Sequence, residues 1–141
     1  VINQGYPELE HIVMDAGSTD GTASVLSRYP HLITRIGPDR GLYDAINNGL
    51  RIATGEIVGL LNSDDHYEQN IFSEIGRIFK ANKKIDVIIG SAGIFESISS
   101  GEYLVDRYPS ISADGLLDGL IFGAPAINAW FFRHPTSGCV R

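Results

Sequence analysis

This 141-residue chain has a single cysteine, Cys139, one tryptophan and one methionine. One thiol excludes an intrachain disulfide, and the shortage fits a reducing compartment. Basic residues are few: 11 Lys and Arg stand against 17 Asp and Glu, a formal net charge of -6. A chain of that sign offers no field for a nucleic-acid backbone, so no nucleic acid is expected as a partner. Long apolar runs are lacking too, and none approaches the ~20 residues that cross a bilayer. These shortages support a cytoplasmic location. The rest is ordinary: 43% hydrophobic and 20% charged residues, enough for one domain with a packed core.

Periodicity divides the chain. Residues 9–14, LEHIVM, read as a short buried strand, and DAGSTDG after them as a polar loop. Asp20 can cap a helix over 21–29, which Pro30 ends. A second strand follows at 31–36, then the turn GPDRG. From Leu42 to Ala53, apolar or small residues recur at 42, 45, 46, 49, 50 and 53, the stripe of an amphipathic helix. Strand-like EIVGLL covers 56–61, and a helix over 68–82 carries Ile71, Phe72, Ile75, Ile78 and Phe79 at helical spacing. Residues 86–95 are strand-rich, and a hairpin is expected around Ser100-Gly101. Alternation of strand and helix over the first 90 residues predicts an α/β fold, a three-layer sandwich with a mostly parallel sheet. The pattern turns irregular after residue 90.

On that layout Asp15 follows the first strand, Asp39 the second, and Asp64 and Asp65 the third. In a parallel sheet these loops open on one edge, the carboxyl end of the strands, where α/β sheets bind ligands. Simpler roles compete for each acid. Asp20 is a helix cap, Asp39 suits a turn, and Asp64-Asp65 can be first-turn acids of the next helix. Four carboxylates on one rim nevertheless repel each other unless something positive binds. A magnesium or manganese ion fits, because it takes one or two carboxylates and completes its shell from phosphates and water. Zinc fits less well: His11, His31, His66 and His134 show no ligand spacing and Cys139 stands alone. A calcium loop counted from Asp15 fails at Gly17 and Thr19.

The series HIVMDAGSTDGT, then GPDRGLYDAINNGLRIATGEIVGLLNSDDHY, resembles the family two glycosyltransferases, whose fold is GT-A. The likeness is strongest over residues 1–82, and its DRGLYDAINNG form is similar to members that decorate bacterial surface polysaccharides. The resemblance implies a nucleotide-diphosphate sugar donor and a carbohydrate or lipid-linked acceptor. It also implies a divalent metal, Mg or Mn, and peripheral membrane association of a longer protein. By position, Asp15 matches the aspartate that contacts the nucleotide base, and Arg40 and Gly41 lie in the loop near the nucleotide. Asp64 and Asp65 match the DXD-type motif, with Asp64 facing ribose or metal and Asp65 the metal. Transfer would invert the anomeric configuration.

Departures accompany the likeness. Ala16, Asn62 and Ile46 stand where many relatives carry Asp, Asp and a basic residue, so the motif here is NSDD. The resemblance also implies a first strand before residue 1 and a catalytic carboxylate base on a later helix. The expectation is therefore a single partial domain over 1–141. Its first part, 1–90, is the nucleotide-sugar-binding half, and 91–141 begin the acceptor-side half. No catalytic residue is assigned, since Asp106, Asp114 and Asp118 each have a surface or turn explanation. Residues 124–134, APAINAWFFRH, resemble the acceptor-side strand. Trp130, Phe131 and Phe132 could stack on a sugar, but alternation along a strand sends at least one into the core. Two rival functions remain. One is a non-catalytic nucleotide- or sugar-binding module; the other is a sugar-phosphate nucleotidyltransferase, which should carry a Gly-rich loop with Arg and Lys that is not seen here.

Overall fold

The computed structural model describes residues 1–98, 101–108 and 127–135. Asp114, Asp118 and Cys139 lie outside the described residues, as do residues 124–126 of the expected acceptor-side strand. The described elements run β1 (His11–Asp15), α1 (Thr22–Leu26), β2 (Leu32–Ile36), α2 (Leu42–Ile52), β3 (Ile57–Gly59) and α3 (Ile71–Ala81). Then come β4 (Val87–Ile89), β5 (Ala92–Ile98), β6 (Gly101–Tyr108) and β7 (Trp130–Arg133).

The α/β alternation is present, but the strands do not join one sheet. β1 and β2 pair in parallel, with Met14 opposite Arg35 and Asp15 opposite Ile36. β7 inserts antiparallel between β3 and β4, with Val58 and Val87 both opposite Phe132. β5 and β6 form a separate antiparallel hairpin, bulged at Ile94/Phe95. Among the described residues, then, one ladder is parallel and three are antiparallel. The mostly parallel sheet of a three-layer sandwich is not what these ladders form. The physical reason is a long-range pairing: the central strand of the second sheet arrives from some 40 residues downstream of β4.

Apolar periodicity explains where the core sits. The α3 stripe buries Ile75 and Phe79, which pack with Phe131 of β7. Ile57, Tyr67, Ile71, Phe72, Ile85 and Ile88 surround that cluster, so α3 covers the β3–β7–β4 sheet. Tyr67 stacks at 5.2 Å from Phe131 and meets Phe72 edge-on at 5.3 Å. Arg133 closes the far side. Its guanidinium lies 4.9 Å from the Phe79 ring centre and donates to the carbonyls of Ile85, Phe79 and Asn82 and to Glu56.

Two elements come out shorter than their sequence pattern. α1 stops at Leu26, and Arg28 and Tyr29 bond three residues back, to Val25 and Leu26, so the end of the segment tightens. β3 ends at Gly59, and the next carbonyl, that of Leu60, accepts from the Tyr67 hydroxyl at 2.5 Å instead of joining the ladder. At Gly59 an added Cβ would sit 2.7 Å from Phe131 Cε1 and 2.9 Å from the Tyr67 hydroxyl. Both rings are packed and cannot yield freely. Gly59→Ala should therefore cost about 1–3 kcal/mol in a denaturant titration, the usual range for overpacking; a loss too small to detect would show that the rings move aside.

Candidate functional site

The amino ends of β1 and β3 are tied together by Glu10. Its carboxylate accepts from the Thr54 amide at 2.8 Å, the Thr54 hydroxyl at 2.6 Å and the Gly55 amide at 3.0 Å. These bonds hold its pKa below the ordinary carboxylate value, the Thr54 hydroxyl contributing most. α2 then returns across β1, where Gly49 lies close enough that an added Cβ would touch the Met14 side chain at 3.5 Å. The loops of interest leave β1, β2 and β3 from the opposite, carboxyl ends of those strands.

Asp15 closes β1 and turns its carboxylate into its own loop. Oδ1 accepts from the amides of Gly17 at 2.8 Å and Ser18 at 2.7 Å. Those N–H groups, with the Ser18 hydroxyl, hold the carboxyl below the usual aspartate range, so Asp15 stays charged at neutral pH. Asp20 accepts from the amide and hydroxyl of Thr22 at 3.1 and 2.6 Å, but the N-cap of α1 is Gly21, so the expected cap lies one place before the capping position.

The β2–α2 loop carries Asp39, Arg40 and Gly41. Asp39 Oδ1 accepts from the Gly41 amide at 2.8 Å, an Asx-turn, and Gly41 takes φ 108°, a conformation that favours glycine. Asp44, in the first turn of α2, accepts from the Arg40 amide at 3.1 Å and from its guanidinium at 3.4 Å. The Arg40 amide is the main reason the Asp44 carboxyl is held low. The Arg40 side chain remains 89% exposed and points its charge toward solvent. Asp15 and Asp39 line one open cavity of about 320 Å³, together with Met14, Arg35, Asn48 and Arg51. Arg40, Gly41, Asp64 and Asp65 do not line it.

Asp64 and Asp65 lie at a turn in the loop between β3 and α3, where the Asp65 amide donates to Asn62 O at 3.2 Å. They are not first-turn acids. α3 begins only at Ile71, with Asn70 in a left-handed conformation as its N-cap and Glu74 as its first-turn acid. Both aspartates are exposed. Asp65 Oδ2 accepts from Asn128 Nδ2, and Asn128 Oδ1 is buried without a partner. Beside them the His66 ring faces Phe95 of β5 at 5.9 Å, which brings the hairpin to the edge of the motif. Phe131 is buried in the core and Trp130 half-buried, as alternation required of at least one aromatic.

Do these residues suit a metal ion? Among the described residues no three His, Cys, Asp or Glu side chains gather as a ligand cage. A cation that takes all its ligands from the protein does not fit. One that needs one or two carboxylates, and draws the remainder from phosphates and water, does. The pair itself offers carboxylate oxygens, one of them already accepting from the Asn128 amide nitrogen, and the His66 imidazole follows directly in the chain. Asn128 and Asp44 are the partners of Asp65 and Arg40 that motif spacing did not point to. A polar side chain entering a buried aromatic strand was the available signal for Asn128.

The chain matches the model of glycosyl transferase family 2 over residues 1–137. It is 28% identical to an uncharacterized glycosyltransferase of Nostoc sp., an alignment covering 98% of this chain and 43% of that protein. A PGL/p-HBAD biosynthesis glycosyltransferase of Mycobacterium bovis is 29% identical over 64% of this chain and 38% of its own length. The poly-beta-1,6-N-acetyl-D-glucosamine synthase of Staphylococcus epidermidis is 28% identical over 79% of this chain and 28% of its own length. The chain thus spans about two-fifths of the length of the first two relatives. Among the described residues no helix is long and apolar enough to cross a membrane.

Proposed function

Because the chain belongs to glycosyl transferase family 2 and so to the α/β proteins of GT-A type, we propose that it holds the nucleotide-diphosphate sugar donor of a metal-dependent, inverting transfer to a hydroxyl acceptor. The observation that carries this reading is the exposed Asp64-Asp65 pair in the loop that follows β3, with Asp65 Oδ2 engaged by Asn128. One relative is named for a polysaccharide, poly-beta-1,6-N-acetyl-D-glucosamine, which supports a carbohydrate acceptor and a place in polysaccharide synthesis.

Each residue has a part its geometry allows. Asp15 spends Oδ1 on its own loop, which leaves Oδ2 to accept a base N–H. Asp64 accepts from ribose hydroxyls or holds the ion, and Asp65 offers Oδ1 to the ion while Asn128 occupies Oδ2. Arg40 and Gly41 are assigned to the diphosphate side of the donor, a reading supported by the 89% exposure of the Arg40 side chain. A magnesium or manganese ion, when bound, offsets the charge that develops on the departing diphosphate. The acceptor oxygen attacks the anomeric carbon, the bond from that carbon to the diphosphate oxygen breaks, and the acceptor proton passes to a base. No described residue is assigned as that base.

Calorimetric titration with uridine, guanosine or thymidine diphosphate in the presence of Mn²⁺ tests the reading. A nucleotide-sugar hydrolysis assay should follow. Metal-dependent binding with slow diphosphate release is expected. Binding without release would leave a non-catalytic binding module, and no binding would overturn the donor assignment.

A further inference from the structure

We propose that Asn128 is the positioning residue of the Asp64-Asp65 site: its amide fixes the Asp65 carboxylate so that one oxygen is presented to the cation. The inference rests on the donor-binding reading above and assigns a part to a residue far from the acidic motif in sequence.

Asn128 lies in the 3-10 turn Ile127–Ala129 that leads into β7. That backbone is held from two sides. Gly90 N donates to Ala129 O at 2.8 Å, and Trp130 and Phe131 enter the ladders with β4 and β3. Ala129 and Phe131 are buried at 7% and 5% exposure. The amide therefore projects from a rigid base, whereas Asp65 sits in a solvent-exposed turn with freedom to rotate. Nδ2 donates to Asp65 Oδ2, and Oδ1 is buried with no hydrogen-bond partner. The flipped amide would place Oδ1 against the carboxylate, two acceptors together, so the donor orientation is the one the chemistry selects.

The donor half of the amide is what serves the pair: Nδ2 engages one carboxylate oxygen of Asp65 and leaves the other to face outward. Outer-shell partners of this kind orient the direct ligands and tune affinity for the metal. Asn128 also joins the two parts of the chain that sequence reading keeps apart. The motif after β3 is oriented by the turn that leads into β7, within the segment assigned to the acceptor side.

The test is Asn128→Ala in the 141-residue chain, titrated with Mn²⁺ and the nucleoside diphosphate that the wild type binds best. Affinity should fall about tenfold or more, in the range typical of lost outer-shell partners. Metal-free thermal stability should be unchanged or slightly raised, because the orphaned acceptor is gone. Asn128→Leu, close in volume, keeps the packing if the smaller residue does not fold, and should show the same loss. Unchanged affinity in the variants overturns the role of Asn128 and leaves the donor reading standing. A metal-free melting point lowered by several degrees in both variants would make the residue structural. A wild type that binds no Mn²⁺–nucleotide overturns the donor reading, and this role with it.

Discussion

Asp65→Ala should reduce Mn²⁺-dependent affinity for a nucleoside diphosphate by more than about 100-fold, beyond the loss typical of an outer-shell partner. The reasoning starts from charge. Two adjacent carboxylates in an exposed turn repel each other, and among the described residues no Lys, Arg or His forms an ion pair with either. A divalent cation would relieve that repulsion, and with only two carboxylates at hand, losing one removes half of the protein's charged ligands. Because both carboxylates are exposed, metal-free stability should fall by no more than about 1.5 kcal/mol, the worth of the bond lost to Asn128. The expected signature is thus a large affinity loss with a small shift of the unfolding curve. Chelation of the metal from the wild type should reproduce it. Calorimetric binding that survives in the variant, or persists undiminished in chelator, would sink the metal assignment.

Much of this arrangement is legible in the chain because local chemistry dictates it. The α3 stripe specifies its buried face, and Ile75 and Phe79 lie in the core as spacing requires. The turns at Asp39 and Asp20 follow from short side-chain bonds to the amide two residues on. What local pattern cannot carry is partnership across distance. A run such as IVG at β3 is equally compatible with a parallel neighbour and with β7, and only the packed aromatic residues of β7 decide. The same limit hid Asn128, whose meaning depends on a carboxylate 63 residues away. Asp64-Asp65 shows the reverse case. Its position before a helical stretch suggested first-turn acids, but the left-handed Asn70 delays α3 and leaves the pair in a turn of its own.

Phe79→Ala is expected to be the most destabilising single change, about 3–5 kcal/mol by denaturant titration, as for other buried phenylalanines. Phe79 is 1% exposed, the largest fully buried side chain among the described residues. Its ring packs with Ile75 and Phe131 and carries the Arg133 guanidinium on its face, so α3 and β7 meet through it. Truncation leaves a cavity between a helix and a strand that the ladders hold in place, and such a site collapses poorly. Arg133 loses its aromatic support but keeps its bonds to the Ile85, Phe79 and Asn82 carbonyls, so the strand should loosen without detaching. That difference separates two readings of the core. If β7 depends on Phe79 for its seat, affinity for Mn²⁺ and nucleoside diphosphate should fall along with stability even well below the unfolding midpoint, because Asn128 moves with β7. If affinity is kept while several kcal/mol are lost, the strand is seated by its ladders alone. A stability loss below about 1 kcal/mol would mean that the α3–β7 contact is not the core of this fold.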